Sequence, residues 1–197
     1  MTMLPEMPSL ETRNGLPADL RYLVEKYPRE VWPSHPNLGE MARFWLQRHD
    51  MFRELGGMLK AGMGDYREQK LAPRDFAVWF APRLRFFLQQ LHGHHQIEDM
   101  HYFPVFAKAE PRMKHGFDLL DSDHHVIHDA LERNAESGTA FLQALQADGD
   151  QVRFAADAYA RENEALLAML LRHLDDEEDL IIPLILDRSE EGLGVGL

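Results

Sequence analysis

The sequence predicts an all-α fold: a four-helix bundle of up-down-up-down topology, preceded by an N-terminal arm. Three observations predict it. Apolar residues recur at alternating spacings of three and four along four long stretches, the signature of helices with one buried face. Period-two alternation is scarce, and no Asn-Gly pair sits between strand-like runs. Pro73, the run Gly62-Met63-Gly64-Asp65 and the run Ala147-Asp148-Gly149-Asp150 fall where such helices would start and stop. Four long helices joined by short or medium loops pack most simply as antiparallel neighbours.

Composition narrows the class. The 197 residues suffice for one domain with a sizeable core. A net charge of −12 with no basic stripe argues against nucleic acid and anionic membranes as partners. No stretch approaches the ~18 uninterrupted apolar residues of a membrane span. The absence of cysteine excludes thiolate metal sites, disulfides and cysteine catalysis. Met1 to Glu6 lack the apolar run of a signal peptide, so a cytoplasmic protein is expected. Eleven histidines stand out, because they cluster.

In chain order, residues 1–36 are rich in proline and read as an arm, with a short helix from Ala18 to Lys26 and no assigned chemistry. Residues 37–190 form the expected bundle, and 191–197 a flexible tail. The first long helix starts at about Asn37, a suitable N-cap, and ends at about Gly62. Its stripe is Leu38, Ala42, Trp45, His49, Phe52 and Leu59. The second starts at Pro73, with a kink or break expected at Pro82 and a bend or end at Pro104. Its inward stripe is Leu84, Phe87, Leu91, His94, Glu98 and His101. A neighbouring register through His95, Asp99 and Tyr102 fits almost as well. The third helix, about Phe117 to Leu145, aligns Leu120, His124, Ile127, His128 and Leu131. The fourth, about Asp150 to Arg188, aligns Leu166, Leu170, His173, Glu177, Leu180 and Leu184, with a bend at Pro183.

Polar groups recur on these buried faces. His94-x3-Glu98 and His173-x3-Glu177 each place an imidazole and a carboxylate one turn apart on one face. Such groups do not belong in a core unless something binds them. His49 to His94 and His128 to His173 share a spacing of 45 residues, so the first two helices echo the last two. Trp45 occupies the position matching His124. Seven ligands result: His49, His94, Glu98, His124, His128, His173 and Glu177. Five imidazoles and two carboxylates suit two octahedral ions of intermediate softness, above all iron, with manganese or zinc as substitutes. The carboxylates can bridge. One ion would take His124, His128 and His173. The other would take His49 and His94, leaving an open position under Trp45, as a gas-binding or catalytic ion requires. Asp99, Asp123 and Asp176 are candidates to orient the imidazoles.

These motifs resemble the hemerythrin family, in its bacterial HHE cation-binding branch. The resemblance covers about residues 37–188 and includes a proline six residues after each glutamate, Pro104 and Pro183. It implies a non-haem di-iron centre bridged by two carboxylates and an oxo or hydroxo group, with dioxygen bound end-on at the less coordinated iron. It favours His94–Glu98 over His95–Asp99, while the oxygen carriers' longer spacing leaves Glu178 beside Glu177 as the last carboxylate. Trp45 and His101 are the residues expected to line the ligand pocket.

The expected function is therefore binding or sensing of dioxygen or a related small oxidant. Alternatives are an enzyme acting on peroxide, nitric oxide or oxygen, and an iron-responsive module with a separate protein partner. The bland reading, glutamates and histidines as buried ion pairs, requires several charges to be desolvated at several kcal/mol each.

Overall fold

The structure is a computed structural model that describes residues 9–146 and 150–195. It is all-α, with no strand among the described residues. In chain order it runs through a 3-10 turn Ala18–Leu20, α1 Tyr22–Lys26, a 3-10 segment Arg29–Ser34, α2 Glu40–Arg67 and α3 Pro73–Ile97. A π-helical turn Glu98–Tyr102 follows, then α4 Phe103–Ala109, a 3-10 turn Pro111–Met113, α5 Lys114–Ala144, α6 Asp150–Arg188 and α7 Glu190–Leu193. The four long helices are those the periodicity predicts. The expected loop at 147–149, and the ends of the arm and tail at 1–8 and 196–197, lie outside the described residues.

The chain divides into two compact units. One comprises Met1–Gln47, Ile97–His125 and Met169–Leu197; the other comprises Arg48–Gln96 and Val126–Ala168. In the first, Leu16, Leu20, Leu23 and Trp32 of the arm are buried with Trp45, Phe106 and Ile185. In the second, the core is aromatic: Phe80 packs against Phe76 at 5.0 Å and Tyr159 at 4.9 Å between ring centroids, and Phe141 joins them.

Four local expectations are corrected. Helix α2 runs through Gly62 to Arg67. A Cβ on Gly62 would lie 2.5 Å from the Trp79 ring, so this glycine permits a close approach and does not end the helix. Asn37 does not cap α2. Its Nδ2 donates to the Leu186 carbonyl at 2.8 Å, and Glu190 accepts from the Ala42 N–H at 2.8 Å. An acidic side chain from α7 thus serves the orphan donors of the α2 N-terminus. Of the kink or break expected at Pro82, the break is absent: α3 runs on through it, with Phe76 and Phe80 before it and Leu84 and Phe87 after it buried. The tail is not wholly flexible: α7 is capped by Ser189, whose Oγ accepts from the Gly192 N–H at 3.1 Å, and Leu193 is buried.

The π turn was not expected, and Pro104 gives its physical reason. A proline ring collides with the carbonyl four residues back in an α-helix. Here the Phe103 N–H bonds to the Glu98 carbonyl, five residues back, and the widened turn ends just before Pro104, which lies in the first turn of α4.

Candidate metal centre

Adjacent residues near the end of α3 point two ways, since successive helix positions lie about 100° apart. His94 faces His49 of α2, Nε2 to Nε2, at 3.1 Å with the rings nearly perpendicular. Phe52, one turn on from His49, packs on the His94 ring at 5.1 Å. His95, the next residue, is itself buried.

The π turn and helices α5 and α6 supply a second constellation. His124 and His173 meet Nε2 to Nε2, again at 3.1 Å. The other nitrogen of each ring faces a carboxylate: His124 Nδ1 lies 2.7 Å from Asp99, and His173 Nδ1 lies 3.3 Å from Asp123. An imidazole that donates Nδ1–H to a carboxylate leaves the Nε2 lone pair for a cation. Glu98 reaches His124 Nε2 at 3.6 Å, and Glu177 reaches His173 Nε2 at 3.2 Å. The remaining Glu177 oxygen accepts from the Trp45 indole N–H at 2.5 Å. Tyr102 and Phe106 pack against that indole, 4.9 and 6.2 Å between centroids.

Two groups of possible ligands result, one in each compact unit: His49 and His94 in one, and His124, His173, Glu98 and Glu177 in the other. The spacing fits coordination. Two nitrogens each about 2.1 Å from one cation, at right angles, sit about 3.0 Å apart, close to the 3.1 Å of both histidine pairs. Burial holds the His124 imidazole below its usual value, against the pull of Asp99. His173 behaves oppositely. Burial lowers it, but the bonds and charges of Asp123 and Glu177 outweigh that and push it up to about 9. A proton and a cation therefore compete for the same nitrogen.

Of the seven expected ligands, the structure brings six into these groups and leaves one outside. His128 is 47% exposed, with Nε2 3.3 Å from Glu132 and its ring beside that of His92. Buried Ile127 and Leu131 occupy the core face of α5 and turn His128 outward. His95, read in the sequence as part of the neighbouring register with Asp99 and Tyr102, is buried. His101, expected at the pocket, is exposed, because the π turn rotates the residues after Glu98 out of α-helical register and brings Phe103 inward. Trp45 contacts the centre through its bond to Glu177. Residues of both registers are engaged: His94 meets His49, Glu98 reaches His124 Nε2, and Asp99 faces His124 Nδ1. Glu178 is engaged by Arg29 at 2.8 Å, leaving Glu177 as the α6 carboxylate in the groups.

The arm, to which no chemistry was assigned, supplies Arg13. Its Nε donates to Asp176 at 2.7 Å, one terminal nitrogen donates to Asp123 at 2.7 Å, and the other engages the second Asp123 oxygen. Arg172 meets Asp176 from the other side at 2.7 Å. No sequence pattern flags Arg13, which stands in irregular chain 110 residues from Asp123.

Among the described residues, no helix is long and apolar enough to cross a membrane. The model of one family, the hemerythrin HHE cation binding domain, matches residues 40–185. Comparison with curated proteins found no match, and neither did comparison with solved structures. The match spans most of the chain, which belongs to this family; the fold is a hemerythrin-like helical bundle and the protein binds metal cations.

Proposed function

We propose, with membership of the hemerythrin HHE family as the premise, that the chain holds two iron ions and there binds dioxygen or a related small oxidant. The observation that carries this reading is the two imidazole couples, His49 with His94 and His124 with His173, each meeting Nε2 to Nε2 at 3.1 Å. Two couples so spaced suit two cations. His124 and His173, with Glu98 and Glu177, would hold one ion, and His49 and His94 the other. The smaller donor set leaves more room for a guest beside His49 and His94.

When bound, iron supplies the electrons that a small oxidant draws on, reversibly if the higher oxidation states are not overly stabilised. Four neutral imidazoles beside two carboxylates put less negative charge on the ions than an all-carboxylate set would. That favours reversible binding over oxygen activation. Trp45 holds Glu177 by its N–H, while Tyr102 and Phe106 make its surroundings apolar. His101 is exposed.

The experiment is anoxic loading with ferrous ion, metal analysis, and then exposure to oxygen. Two ions per chain and an optical change that reverses under argon are expected. An unchanged spectrum, or irreversible bleaching, rejects oxygen binding. Protein from iron-replete cells that carries only manganese or zinc rejects iron. Sustained turnover of peroxide or nitric oxide with the metal retained would replace a binding role by an enzymatic one.

A further inference from the structure

Arg13 lies in the arm, outside residues 40–185 that the family's model matches. Its side chain is nevertheless 2% exposed, and it forks onto Asp123, the carboxylate that faces His173 Nδ1. The arm does not need this ion pair to adhere, since Leu10, Leu16, Leu20, Leu23 and Trp32 are already buried. A buried guanidinium facing two buried carboxylates adds little adhesion that apolar packing would not give equally well. What it does supply is orientation. A bidentate fork fixes the plane of Asp123, Asp123 fixes the His173 ring, and that ring presents Nε2 to Glu177 and His124. Arg13 also grips Asp176, the residue before Glu177, so one side chain steadies two neighbouring points of α6.

We propose that Arg13 is a positioning residue of the cation centre and that it ties cation occupancy to docking of the N-terminal arm. The inference rests on the two-cation reading above. By linkage, the coupling is reciprocal: whatever factor arm docking adds to cation affinity, the cation adds to arm docking. Loss of a partner that orients a ligand typically weakens metal binding about 10–100-fold. The arm is then more than a clasp, because its displacement would loosen the ion held by His173.

The test uses the full chain, cobalt(II) as the probe, and the variants R13M and R13K. Cobalt titration and its ligand-field spectrum report the centre. Limited trypsin cleavage after Arg21 and Lys26 reports the arm. In wild type, cobalt is expected to slow cleavage of the arm. R13M is expected to bind one of two ions about 10–100-fold more weakly, with an altered spectrum and cleavage that no longer responds to cobalt. R13K keeps the charge but not the fork and should rescue only in part. If R13M does not fold, R13K carries the same comparison. A purely structural clasp would lower the melting temperature of R13M while leaving affinity and spectrum at wild-type values, and that result overturns the inference alone. Wild-type protein that binds no cation overturns the two-cation reading and the inference with it.

Discussion

At the scale of single residues, the outward turn of His128 teaches the most. It stands beside buried Ile127, and sequence spacing favours it because it repeats the 45-residue interval of His49 and His94. In the structure His173 meets His124 instead, at a separation of 49. Periodicity identifies a buried stripe but not which of its two flanks a neighbouring helix covers. The variant H124A should therefore lose one of the two cations, an effect beyond the ~10–100-fold caused by losing a hydrogen-bonding neighbour. H128A should keep both and change stability by no more than about 0.5 kcal/mol, as exposed substitutions do. Metal analysis and a denaturation curve for each variant check the pair.

At the scale of elements, the long helices were legible because each buries one continuous stripe, and their irregularities were not. Gly62 and Gly64 look alike in sequence, as helix terminators, yet α2 passes through both. G62A would press a methyl into the Trp79 ring and should cost about 1–3 kcal/mol. G64A meets nothing within 4 Å and should stabilise α2 by about 0.5–1 kcal/mol. Thermal or urea unfolding of the two variants should shift in opposite directions. The π turn is a similar case. Pro104 signals a disturbance, but only the completed backbone shows that one widened turn absorbs it and rotates His101 out to solvent.

At the scale of the whole molecule, cation loading and pH set stability. A cation that binds only the folded chain stabilises it by about 2.7 kcal/mol at 100 times its Kd. Chelation should therefore lower the melting temperature, and an unchanged value would contradict buried ligation. On the acid side, Arg112 holds Glu110 below its usual carboxylate range, with further help from Arg188, and Lys26 does the same for Asp187. A carboxylate lowered by folding contributes stability above its unfolded value, about 4, and that contribution is lost as pH falls through the folded value. Melting temperature should thus decline below about pH 4, and R188Q, which loses contacts to both Glu110 and Asp187, should flatten the decline. The sequence alone determined the helical class and the face each long helix buries, and it singled out the polar side chains on those faces. These follow from the local repeat of an α-helix, which fixes neighbours one turn apart. Only the tertiary structure turned His128 outward, engaged Glu178 with Arg29, and brought Arg13 from the arm to Asp123. Those outcomes depend on how distant elements rotate and approach one another, which no local period encodes.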